Sequence, residues 1–166
     1  MELFPESKIN DGSLKTEILE ERLMIEARGI EKSFGSKKVL ENLNFTLPEG
    51  KIYAVCGNNG AGKSVFLRII TGLVYPDKGT IRVNGIQVGK EVEFPPSVGS
   101  LIDQPGFLLS ESGFRNLELL AMITGKVGRE AIRATMDFVG LDSDERKPVR
   151  TYSVGMRQRL GLAQAI

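Results

Sequence analysis

The chain has 166 residues, 41% hydrophobic and 26% charged, with a formal net charge of +1. That length suffices for one domain with a real core, and the near-neutral balance supplies no charge-driven pull toward nucleic acid or an anionic membrane. Histidine is absent and Cys56 is the single cysteine, so a mechanism needing an imidazole of this chain is excluded, as is an internal disulfide.

Residues 1–22 are polar and mixed in charge, with Leu14, Ile18 and Leu19 as a short apolar stripe, and are expected to form a loosely ordered extension. The opening Met1-Glu2-Leu3-Phe4-Pro5-Glu6 lacks the basic-then-apolar pattern of a signal peptide. No apolar run approaches the roughly 18 residues that span a bilayer. Membrane involvement is therefore expected only through a partner.

From Leu23 to Ile30 the pattern predicts a strand, and Lys32 to Lys37 a turn. Leu43 to Leu47 alternates with period two, as a half-buried strand does. Pro48-Glu49-Gly50 is a turn, and Lys51 to Cys56 is expected as a strand with Cys56 buried in it. That strand runs into Gly57-Asn58-Asn59-Gly60-Ala61-Gly62-Lys63-Ser64, which matches G-x-x-x-x-G-K-[ST]. Val65 to Ile70 continues as a helix.

The chemistry of that spacing is specific. A triphosphate is densely anionic and well hydrated, so a site must replace many hydrogen bonds at once. A glycine-rich loop turns successive backbone N–H groups inward. It ends at a helix start, where unpaired N–H groups and the helix dipole favour anions. Lys63 then brings a mobile positive charge to the β and γ phosphates, and Ser64 offers its hydroxyl to Mg²⁺.

Further along, Pro76 to Gly79 is a turn, and Asn84-Gly85 between Thr80–Val83 and Ile86–Val88 is a strong hairpin signal. After Pro95-Pro96 the character changes. Gly113 to Thr124 and Gly128 to Val139 carry apolar residues at helical spacing: Phe114, Leu117, Leu120 and Ala121, then Ile132, Met136 and Val139. Val154 to Ile166 reads as a helix with Leu160, Leu162, Ala163 and Ile166 as its apolar face. Before it stands Tyr152-Ser153-Val154-Gly155-Met156-Arg157-Gln158-Arg159-Leu160. Here Ser153 can cap the helix and still face an anion, while Gly155 lets backbone N–H groups approach one.

With this second motif the chain resembles the nucleotide-binding domains of ABC transporters, over roughly Leu23 to Ile166. Their signature, L-S-G-G-Q, stands here as Y-S-V-G-M over Tyr152 to Met156. Leu101 to Phe107 and the signature look most like the drug- and peptide-export branch of the bacitracin-resistance kind. The resemblance implies an α/β phosphate-loop NTPase fold of the ABC type: a mixed sheet core, an antiparallel β subdomain and an inserted helical subdomain over about residues 96–150. The signature helix then starts at Ser153, and residues 23–166 form one ATP-binding domain.

The resemblance also implies ligands and the residues that hold them. ATP and Mg²⁺ are expected, held by Gly57 to Ser64 with Phe34 stacked on adenine. Ser153, Gly155 and Met156 serve in trans, contacting the γ-phosphate held by a second nucleotide-binding domain in a head-to-tail dimer. Either Asp103 or Gln104 occupies the position that senses Mg²⁺, and Asp103 there would offer a carboxylate in place of an amide oxygen. Val154 is bulkier than the usual glycine and tolerates less backbone freedom.

The expected partners are a transmembrane permease subunit and the second domain, with no nucleic acid, at the cytoplasmic face of a membrane. The sequence stops inside the signature helix, before the family's Asp-Glu strand and switch histidine. It is therefore expected to be C-terminally incomplete and, alone, to bind ATP with little hydrolysis. Two other readings stand beside this one: a truncated, non-enzymatic ATP-binding module, and a ribosome-associated non-transport ABC protein.

Overall fold

The computed structural model describes residues 23–102, 106–125 and 127–166. The extension expected over residues 1–22, like Asp103 and Gln104, lies outside the described residues. The chain divides after Pro96 into two compact units.

In the first unit, strand β1 (Leu23–Phe34) pairs antiparallel with both β2 (Lys37–Pro48) and β3 (Lys78–Val83), and β3 turns back into the short β4 (Ile86–Gln87). The sheet order is β2-β1-β3-β4. The β3–β4 hairpin turns at Asn84 (φ 50°) and Gly85 (φ 79°). Positive φ at both central residues matches the right-handed twist of the flanking strands, which is why an Asn-Gly pair sits there.

Helix α1 (Lys63–Ile70) covers one face of this sheet. Its buried Phe66, Ile69 and Ile70 join Ile25, Ala27 and Ile30 of β1, Leu40 and Phe45 of β2, and Ile81 and Val83 of β3 in one cluster. Phe45 and Phe66 meet edge to face, with centroids 4.8 Å apart at 81°, an arrangement that adds to plain area burial.

The buried residues of β1 change parity: Ile25 and Ala27 alternate, and then Ile30 is inward. The register explains this. It steps from Ala27↔Phe45 to Ile30↔Leu43, and then to Lys32↔Leu40. One extra residue on β1 is followed by one on β2, and each bulge flips which side chains face the core. At the first bulge the Gly29 N–H donates to Asn44 Oδ1 at 2.7 Å. The ladder therefore runs on to Phe34, further than Ile30.

The strand expected over Lys51 to Cys56 is absent from the ladders among the described residues. Ile52 is fully exposed, and Cys56 is exposed rather than buried. A central strand requires ladder neighbours for its N–H and C=O groups on both edges, and none of the described strands forms a ladder with this segment.

The second unit is helical. Helix α2 (Gly113–Thr124) has the expected bounds, α3 runs Arg129–Phe138 and α4 runs Val154–Ala165. Their shared core holds Phe114, Leu117, Ile132, Met136, Leu141, Val149, Tyr152, Leu160 and Ala163. Leu162 and Ile166, expected on the inward face of α4, are instead 49% and 73% exposed. Leu160 and Ala163 stand three apart and share a face. Leu162, two from Leu160, points away from it, and Ile166 lies past the helix end. Arg129 and Arg133 of α3 lie over the Phe114 ring, 4.8 and 5.2 Å from its centroid, which adds cation–π attraction to the α2–α3 contact.

In the first unit, the turn before β3 is tied to β1 by Asp77. Its carboxylate accepts from Lys32 Nζ at 2.8 Å and from the Ser33 N–H at 2.7 Å. The Lys32 hydrogen bond first, and the Ser33 N–H second, hold its pKa below the ordinary 3.8. A carboxyl whose pKa is depressed in the folded state stabilises above its unfolded pKa and loses that contribution as pH falls through the folded value. The Ser33 amide resonance is accordingly expected to titrate with a midpoint below 3.8, and Asp77→Asn to abolish that titration in an NMR pH series.

Candidate nucleotide site

The phosphate-loop residues sit together in the first unit. Gly62 is the N-cap of α1 with φ 89° and ψ 5°, a left-handed conformation that L side chains rarely adopt. A Cβ on Gly62 would lie 2.9 Å from Leu40 Cδ2 and 3.0 Å from the Val39 carbonyl oxygen. Gly62 therefore serves twice. It makes the turn into the helix, and it lets the helix start rest directly on β2.

As a glycine, Gly62 has no side chain to cap α1, so the first-turn N–H groups stay available to a ligand. Inside the loop the Ala61 N–H donates to the Asn58 carbonyl at 3.1 Å, which rounds the segment Asn58-Asn59-Gly60 into a turn. Lys63 folds back over it. Its ammonium donates to the carbonyls of Gly57 at 2.7 Å and Asn58 at 2.9 Å. Gly57, Asn58, Asn59, Gly60, Ala61 and Ser64 are all exposed.

A divalent cation fits this arrangement in one particular way. Ser64 offers a single neutral oxygen at the start of α1. Among the described residues no group of three or more Cys, Asp or Glu side chains converges to hold a metal alone. Magnesium commonly takes one or two protein oxygens and completes its shell with substrate phosphates and water. The donors present suit a cation that arrives with a polyphosphate.

Phe34 ends β1 and is 51% exposed. The Lys32 ammonium lies 5.5 Å from its ring centroid, and that same ammonium is held by Asp77. Asp77 and Lys32 thus fix the surroundings of a half-exposed aromatic ring.

The signature residues belong to the second unit. Ser153 is the N-cap of α4, with φ −62° and ψ 165°, and its Oγ accepts from the Met156 N–H at 3.1 Å. Oγ keeps its own O–H free to donate. Val154 and Gly155 are exposed beside it. Asp103 and Gln104 fall outside the described residues.

The sequence pattern of the ABC transporter family matches residues 40–166. The bacitracin transport ATP-binding protein BcrA of Enterococcus faecalis is 38% identical over 144 residues, which are 86% of this chain and 47% of that protein. The lantibiotic transport ATP-binding protein SrtF of Streptococcus pyogenes is 35% identical over 140 residues, 84% of this chain and 60% of that protein. The chain belongs to the ABC transporter family. It spans about half the length of BcrA. The ATP-binding cassette MJ0796, solved as a dimer in a post-hydrolysis state bound to ADP and Pi, superposes with a TM-score of 0.73 at 20% identity. That match covers 86% of this chain and 69% of MJ0796. The fold is the α/β phosphate-loop NTPase fold of the ABC type, and no helix among the described residues is long and apolar enough to cross a membrane.

A residue that the ABC motifs do not mark is Asn116, 4% exposed in the wall of α2. Its Oδ1 accepts from the Leu108 N–H at 2.7 Å. Its Nδ2 donates to the carbonyls of Leu108 at 3.1 Å and Ser112 at 2.9 Å. It clamps the incoming chain to the start of α2. The only trace in the sequence is a polar residue on a helix between Phe114 and Leu117.

Two glycines of the phosphate loop separate strain from packing. Gly60 has φ 84° and nothing within 4 Å of an added Cβ, whereas Gly62 has φ 89° and three atoms within 3.0 Å. Gly60→Ala is expected to cost about 1–2 kcal/mol from backbone strain alone. Gly62→Ala is expected to cost on the order of 1–3 kcal/mol more from overpacking. Equilibrium denaturation of both variants checks the order.

Proposed function

We propose that this chain is the ATP-binding part of an ABC exporter. It takes ATP with Mg²⁺ and works with a membrane-spanning permease subunit. The observation that carries the reading is the phosphate loop, where an uncapped helix start rests on β2 through Gly62 and the Lys63 ammonium is held over the loop by carbonyls. Those carbonyls are neutral oxygens, which an arriving phosphate displaces more readily than it would a carboxylate. ABC relatives named for bacitracin and lantibiotic transport support the drug- and peptide-export branch. The permease, not this chain, would read the cargo.

In this reading residues 23–166 form the ATP-binding domain, residues 1–22 precede it, and the chain works at the cytoplasmic face of the membrane. Phe34 stacks on adenine. Ser64 binds the metal, and Asp103 or Gln104 senses it. The dimeric state of MJ0796 with ADP and Pi supports a head-to-tail pair. There the Ser153 hydroxyl and the N–H groups near Gly155 and Met156 meet the terminal phosphate held by the partner's loop, and closure of the pair drives the permease.

The test is equilibrium binding of a fluorescent ATP analogue to the wild type and to Lys63→Ala. Losing a charged hydrogen-bond partner typically costs about 1.5–3 kcal/mol. The affinity should therefore fall roughly 10- to 100-fold. Equal affinities would contradict the role given to Lys63.

A further inference from the structure

Tyr152 stands where the ABC signature usually has leucine, and its phenol does something a leucine cannot. The ring is buried, 4% exposed, in the core of the helical unit. Its Oη accepts the N–H of Gly113, the first residue of α2, at 3.2 Å. Gly113 is a glycine that admits the phenol. A Cβ there would fall 2.8 Å from Oη and 3.3 Å from Leu160 Cδ1.

The backbone of Tyr152 is held as well. Its N–H donates to the Val149 carbonyl at 3.0 Å, and its carbonyl accepts from the Arg157 guanidinium. Tyr152 is the residue before the N-cap, and Arg157 is the fourth residue of α4. In many helices an apolar pair at these positions fixes the entry angle of the chain. Here a guanidinium–carbonyl bond joins the same positions. The preceding turn is also tied toward α2, since the Val149 N–H donates to Glu111 O at 2.8 Å and the Arg150 N–H to Leu109 O at 3.0 Å.

We infer that Tyr152 is a positioning residue for Ser153: the Tyr152 Oη to Gly113 N–H bond locks the start of α4 to the start of α2. That lock aims the Ser153 hydroxyl and its neighbouring N–H groups at the phosphate they meet. Donors aimed at an anion must be held to about 0.5 Å to be effective. A phenylalanine would fill the same volume, so the hydroxyl serves geometry rather than packing. The inference rests on the nucleotide-bridged pairing proposed above.

The experiment measures two quantities on the full chain. One is affinity for a fluorescent ATP analogue, which reports the phosphate loop. The other is self-association in saturating Mg-ATP by sedimentation velocity, which reports the signature. Tyr152→Phe should leave the first within about twofold and weaken the second roughly five- to tenfold, the low end of the cost of one lost hydrogen bond that strands a buried donor. Ile132→Val, in the same core and away from α4's start, should lower thermal stability and leave self-association unchanged. In a Ser153→Ala background Tyr152→Phe should add little, because residues that act through one another are not additive.

Wild-type self-association in Tyr152→Phe overturns the inference, as does equal weakening in an Ile132→Val chain of matched stability. If Tyr152→Phe does not fold, Gly113→Ala attacks the same bond from α2, and unchanged self-association there overturns the inference too. A wild type that binds the analogue but never pairs in Mg-ATP overturns the proposed pairing and the inference with it. A wild type that fails to bind the analogue overturns the nucleotide reading itself.

Discussion

A helix start holds a polyphosphate best by backbone where its first N–H groups are unclaimed and its approach is fixed. Helix α1 meets both conditions through one residue. Gly62 contributes no capping oxygen, so the amides stay free, and its missing Cβ lets the helix start sit against Val39 and Leu40. The same eight-residue helix buries Phe66, Ile69 and Ile70 against the sheet. Site and core are therefore one object. In the proposed site the antiparallel sheet sets where the anion goes, and anything that loosens α1 from β1, β2 and β3 also disturbs the loop.

Helix α4 begins differently. Its N-cap is a serine that already accepts the Met156 N–H, so part of its first turn is satisfied without a ligand. What it offers an anion is the serine O–H and the exposed amides beside Gly155. A capped helix start is more stable alone and weaker as an anion trap. In the proposed pairing, that difference suits a surface that binds only when a second element supplies most of the phosphate contacts. It also makes aim matter more, which is where the buried phenol of Tyr152 and the Arg157 bond enter.

The legible parts of the chain are those where backbone demands a residue type. Gly57 to Ser64, Asn84-Gly85 and Ser153 announce themselves because glycine, Asn-Gly and serine answer specific conformational or capping needs. Helix α2 is readable from the spacing of Phe114 and Leu117. The paired bulges of β1 and β2 are not, because a parity switch looks in a sequence like the end of a strand, and only the partner's register reveals it. The outward turn of Leu162 escapes a count of apolar residues that ignores their angles. Asn116 and the Tyr152 phenol stay hidden for another reason. Their partners, Leu108 and Gly113, offer backbone groups, and a backbone acceptor or donor leaves no mark in the letters. The exposure of Ile52 and Cys56 has the same root, since apolar character makes a strand possible but only a neighbour's ladder makes it one.

Charge plays a smaller and more local part than a nucleotide ligand suggests. A net +1 spread over 166 residues is felt weakly beyond the roughly 8 Å over which physiological salt screens exposed charges. Recognition then falls to groups in contact. Lys63 is not a bare cation waiting in water, because two carbonyls already share its ammonium. A phosphate that takes it over exchanges neutral acceptors for charged ones. The net gain is the difference between two sets of hydrogen bonds, a few kcal/mol and not the tens an isolated ion pair suggests. The amides of α1 follow the same logic, for each trades water for phosphate oxygen. Tight holding of so charged a ligand comes from many such small exchanges made at once in a preset geometry. In the proposed site the residues that fix shape, Gly62 for the loop and Tyr152 for the signature, therefore matter as much as those that carry charge.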